Sequence, residues 1–129
     1  MTIATGTFTI EAWEPEPAVA ANGLAIAAVR IEKRFSGDLV GTGTVRMVSG
    51  TIAEEPAVYV AIEHIEGMLL GRQGAFLLRH VGTMLQGRPT LDCVVVPGSG
   101  TGALTGLAGT LTIDIVDGLH RWELDHTLD

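Results

Sequence analysis

Apolar and polar residues alternate in short runs along much of this chain, and a period of two marks a strand with one buried face. From Gly6 to Ala12, Phe8, Ile10 and Ala12 alternate with Thr7, Thr9 and Glu11. Near the other end Leu111, Ile113 and Ile115 alternate with Thr110, Thr112 and Asp114, and Trp122, Leu124 and His126 alternate with Arg121, Glu123 and Asp125. The Asp117-Gly118 step between these runs predicts a hairpin turn. The runs Leu24 to Ile31, Val58 to Ile65 and Ala75 to Val81 are apolar at both parities, so they read as strands whose inward face is undetermined. Breakers separate the runs at Ser36-Gly37-Asp38, Val48-Ser49-Gly50, Gly71-Arg72-Gln73-Gly74, Gly87-Arg88-Pro89 and Pro97-Gly98-Ser99-Gly100. The alanine-rich stretch Ala18 to Ala28 can hold a helical turn, interrupted at Asn22-Gly23, and Glu14-Pro15-Glu16-Pro17 reads as an extended loop.

This pattern gives about eight strands with turn signals at the spacing of an antiparallel sandwich or barrel. Closure removes sheet edges, and few edge charges guard them here, so the expected fold is an all-β single antiparallel β-barrel of about eight strands. The length of 129 residues matches one domain, residues 1–129. A barrel of this size either fills with side chains or holds one small ligand.

Composition narrows the partners. With 47% hydrophobic residues the chain can bury a sizeable core, and its net charge of -7 supplies no basic field for nucleic acid or an anionic membrane surface. No basic-then-apolar leader and no run near the ~20 apolar residues of a membrane span is present, so a cytoplasmic location is expected. Cys93, the single cysteine, sits in the apolar run Cys93-Val94-Val95-Val96 and reads as a small buried hydrophobe.

Several segments carry a resemblance. Lys33-Arg34-Phe35-Ser36-Gly37-Asp38-Leu39, Tyr59-Val60-Ala61-Ile62-Glu63, Gly71-Arg72-Gln73-Gly74-Ala75-Phe76-Leu77-Leu78-Arg79-His80 and Val96-Pro97-Gly98-Ser99-Gly100-Thr101-Gly102, in that order, resemble the DUF3224 family of small bacterial proteins. The glycine run Gly100 to Gly109 before the strand Thr110 to Val116 is similar to the segment preceding a barrel strand in allene oxide cyclases and dirigent proteins. That second resemblance implies an allene-oxide-cyclase-like barrel, whose cavity folds a reactive small molecule toward one product. It carries over no catalytic residue, because only the glycine segment matches.

Candidate chemistry is sparse. The glycine run lacks the lysine of a phosphate-binding P-loop and the spacing of a dinucleotide fingerprint, so it reads as a tight turn across a barrel end. Ser99 has Pro97 and Thr101 where the Gly-x-Ser-x-Gly of a nucleophile elbow needs glycine. The four histidines show no zinc-type spacing; His120 and His126 share a strand face but stand roughly 20 Å apart at ~3.3 Å per residue, so no metal is expected. Glu63 and His80 are ionisable groups inside apolar runs on neighbouring strands and form the candidate catalytic pair. A desolvated carboxylate there would have a raised pKa, and the imidazole beside it would be held in one tautomer. The alternative is structural: Glu63 paired with Arg79 or Lys33, or His80 hydrogen-bonded in the core. Candidate substrate contacts are Trp122, Tyr59, Phe76, Leu78 and His126, with Arg72 offering its guanidinium to a carboxylate at a barrel mouth or anchoring a turn.

The expected function is a cofactor-free isomerase or cyclase acting on an apolar reactive metabolite by conformational restriction. The rivals are a carrier or sensor of an apolar small molecule, and a filled barrel used for protein interaction. A homodimer is expected, with no nucleic acid or membrane partner.

Overall fold

The computed structural model describes residues 1–128. Its strands are β1 (Thr2–Pro15), β2 (Val19–Ala21), β3 (Leu24–Gly37), β4 (Leu39–Ile52), β5 (Glu55–Leu69), β6 (Arg72–Leu85), β7 (Arg88–Val95), β8 (Ala108–Val116) and β9 (Leu119–Thr127), with a single 3-10 turn at Gly102–Leu104. All pair antiparallel in the order β1-β9-β8-β7-β6-β5-β4-β3, and β1 pairs with β3 to close an eight-stranded barrel. The short β2 lies outside the closure, paired among the described residues to β3 alone.

Most turns sit where glycines allow left-handed backbone. Asn22-Gly23, Leu70-Gly71, Gln86-Gly87 and Asp117-Gly118 each have two successive positive φ angles, the conformation that joins twisted strands in two residues. Two sequence expectations are corrected here. Ala18 to Ala28 holds a tight hairpin in place of a helical turn, because Asn22 and Gly23 both adopt positive φ and the flanking residues pair as β2 and β3. Val48-Ser49-Gly50 does not break the chain: β4 continues to Ile52, Gly50 pairs with both Ile26 and Val58, and the turn falls at Ala53-Glu54.

A bulge in β1 alters the first predicted strand. Phe8 points inward as its alternation predicts, but the register slips between Ile10 and Ala12, so Ala12 pairs with outward-facing Glu32 and Trp13 with inward-facing Ile31. An extra residue in one strand reverses the faces beyond it. The apolar alternation therefore misplaces Ala12 and hides Trp13.

The two ends of the barrel differ. One is closed by the segment after β7, which folds inward and buries Leu104 and Leu107. Thr101 N–H donates to the Ala75 carbonyl at 2.8 Å, and Ala75 N–H donates to Thr101 Oγ1 at 3.0 Å. Gly74 and Gly100 permit this approach, since a Cβ at either would collide with a backbone carbonyl, of Thr101 and Leu104 respectively. Above the plug, Phe8, Phe35, Ile65, Phe76, Leu78, Trp122 and Leu124 fill the lower interior. The other end remains open.

Candidate ligand site

On the inward face of β3, β5 and β6, one layer of the interior is charged. Glu63 is fully buried, and its Oε1 lies 2.8 Å from His80 Nε2 and 3.2 Å from Lys33 Nζ. Lys33 Nζ also sits 4.4 Å from the centre of the Phe8 ring, a cation–π contact. Gly43, opposite Lys33 on β4, makes the space: a Cβ there would collide with Glu63 Oε2. The layer separates the large lower core from a smaller cluster in which Ile31, Val45 and Ala61 are the next inward residues toward the open end on their strands, with Val29 one inward position beyond Ile31.

Burial by itself would raise the Glu63 pKa, the direction the sequence suggested. The His80 hydrogen bond and the Lys33 charge outweigh it, and the carboxyl is held below its ordinary range. The sequence expectation is thus reversed in sign, because the His80 hydrogen bond and an ammonium in the same layer both favour the charged carboxylate. An ionised carboxylate only accepts, so His80 Nε2–H donates to it. Nε2 also makes the 3.8 Å contact to Cys93 Sγ, which leaves Nδ1 outside both contacts. Burial first, then the Glu63 charge, pushes the Cys93 thiol up to about 12, so Cys93 stays protonated.

Above this layer the barrel opens into an apolar cup of about 900 Å³. Trp13, Met47, Tyr59, Met84, Leu91 and Ile113 are among its walls. Its floor follows from register: His80 pairs with Ala61 and Cys93, and one inward position higher Gly82 pairs with Tyr59 and Leu91. The Tyr59 ring lies against Gly82, where a Cβ would collide with it. The cup also opens sideways, because β7 and β8 share one paired position, Val94 with Thr110, and separate toward the mouth. Residues from both separated edges, Pro89 to Leu91 and Thr112 to Ile115, line the cup.

The predicted site residues divide four ways. Glu63 and His80 meet as proposed, and the structural alternative Lys33 joins them, while Arg79 pairs with Asp92 on the outer face. Of the predicted substrate contacts, Tyr59 lines the cup. Phe76, Leu78 and Trp122 are packed in the lower core, Trp122 also bordering a separate cleft of about 320 Å³. Arg72 and His126 lie at the closed end beside a third cleft of about 290 Å³. Lys33 was detectable: Arg30, Glu32 and Arg34 carry the outward parity, leaving Lys33 in phase with Ile31 and Phe35. Trp13 was not, because nothing in the sequence announced the bulge.

Fold and site together define a closed antiparallel barrel with one plugged end, a buried charged layer and an open apolar cup. The chain belongs to the DUF3224 family, whose model, described as a protein of unknown function, matches residues 4–126. It is similar to a solved structure from Shewanella oneidensis MR-1, a protein with unknown function from the DUF3224 family. The two are 39% identical, with a TM-score of 0.92 over 100% of this chain and 98% of that one. No curated protein matches the chain.

Proposed function

We propose that this protein binds a small apolar molecule in the cup. The observation that carries the reading is an apolar cavity of about 900 Å³ at one end of an otherwise packed barrel. That volume lies within the roughly 300–1,000 Å³ of small-molecule sites. An uncharged naphthyl ketone dye, whose emission rises and shifts on leaving water, should bind saturably at one site per chain. Ala57→Trp, at a half-buried position in the cup lining, should abolish the binding, and so should Ile115→Trp at an exposed lining position that tolerates bulk. Circular dichroism establishes that each variant remains folded. Absence of saturable binding, or binding indifferent to both plugs, overturns the reading.

Cofactor-free isomerisation or cyclisation is the second reading, supported by the 2.8 Å contact between Glu63 and His80 beneath the floor. In it the carboxylate holds the imidazole by Nε2–H, and Nδ1 takes a proton from the guest and returns it elsewhere on the same molecule. Glu63, fully buried, is then a positioning residue. For a bound guest with an acidic C–H, His80→Gln should slow exchange of that hydrogen with deuterium oxide at least about 100-fold. Affinity should stay unchanged. Equal exchange in both proteins removes the imidazole from any proton transfer and leaves a carrier or sensor.

A further inference from the structure

Among the described residues, Asp114 is the one charged residue that borders the cup, at the β8 edge, and it shares the outward parity of β8; no lysine, arginine or histidine is present there. Arg121 stands opposite Asp114 in the β8–β9 register, on the same outer face. Beneath the floor, the Lys33 ammonium is engaged by Glu63 Oε1, while the other carboxylate oxygen, Oε2, is buried without a hydrogen-bond partner. An anionic group entering the cup would therefore lose its water with no free cation in return, since the ammonium beneath the floor is already paired.

A polar feature on the floor points the other way. Burial first, then proximity to Cys93, raises the Tyr59 phenol pKa, so it keeps its proton as a hydrogen-bond donor. Among the described residues no protein group bonds its Oη, and no hydrogen bond contributes to its shift. Its ring is fixed over Gly82, so the donor is presented from a rigid seat at the base of apolar walls.

We propose that the cup takes an uncharged molecule with an apolar body and one hydrogen-bond-accepting oxygen, a ketone, ester or ether, seated with that oxygen on Tyr59 Oη. This rests on the cup being a ligand site and adds the charge and polar chemistry of its guest. Trp13, Met47 and Met84 suit such a body, because aromatic faces and thioethers adapt to flat apolar shapes.

The test uses two dyes that share a ring system: 6-propionyl-2-dimethylaminonaphthalene, which is uncharged with a ketone, and 6-dimethylamino-2-naphthoate, in which a carboxylate replaces it. Both are titrated into the full chain and into Ala57→Trp and Ile115→Trp, and only binding that the plugs remove is assigned to the cup. The ketone should bind at least about tenfold more tightly than the carboxylate. Tyr59→Phe, which keeps the ring over Gly82, should weaken the ketone about three- to tenfold and shift its bound emission to the blue. Equal or tighter carboxylate binding overturns the proposal, as does a Tyr59→Phe variant with unchanged ketone affinity and emission. In both cases the cup survives as a ligand site. If neither dye has a component that the plugs remove, the ligand site itself fails and the proposal with it.

Discussion

Glu63→Ala should cost about 3–5 kcal/mol of folding stability, because it leaves the Lys33 ammonium in the barrel interior without its counter-charge. Urea unfolding at pH 7 measures the loss. Removing both charges should cost far less: Glu63→Leu with Lys33→Met exchanges a desolvated ion pair for apolar volume, and such exchanges are often neutral or stabilising. The acid limb supplies an independent signature. Glu63 is held below its ordinary range in the folded barrel, so its contribution is present in full above its unfolded value of about 4.3. It is lost as pH falls through the folded value, since the unfolded state binds the proton first. Glu63→Gln, which cannot titrate, should flatten this limb of the stability curve below about pH 4.5. A Glu63→Ala cost under about 1 kcal/mol would place the pair with solvent-screened surface bridges and overturn the account.

Trp122→Ala should destabilise the protein by about 3–5 kcal/mol, through lost burial and the cavity left in the lower core. The indole is held on several sides. It packs over Gly6, where a Cβ would fall 2.7 Å from its ring, meets Phe35 edge-on at 6.3 Å, and donates from Nε1 to the Thr7 carbonyl at 3.1 Å. Trp13 is the control. It is 54% exposed at the cup, so Trp13→Ala should change stability by less than about 1 kcal/mol while weakening guest binding. Thermal unfolding of the two variants side by side decides the matter. Similar small losses would mean that Trp122 is not a core residue, and its predicted part in ligand contact would return.

The contrast between these tryptophans separates what could be read in advance from what could not. Trp122 lies in a regular alternation, Arg121 to His126, whose parity survives folding, so its inward face was legible. Its role was not: the same parity fits a ligand wall and a packed core, and only the crossing of Phe35, Gly6 and the closed-end plug fills the space around it. The Glu63–His80 pairing was legible because β5 and β6 are joined by a two-residue turn, which fixes their register. The sign of the Glu63 shift was not, since it is the balance of burial against the His80 hydrogen bond and the charge of Lys33, which lies 30 residues away on another strand.

By itself the sequence determined the all-β class, most of the strands and turns, the buried thiol, and two ionisable groups sharing one interior. These are local matters of alternation, glycine conformation and apolar runs, and they act over a few residues. The tertiary structure alone decided which half of the barrel is filled and which is hollow. It also decided the reversal of Trp13 at the β1 bulge, and whether the buried carboxyl carries a charge. Each of these depends on which side chains from strands distant in sequence meet across the interior, and packing and desolvation energies exist only after the sheet has closed.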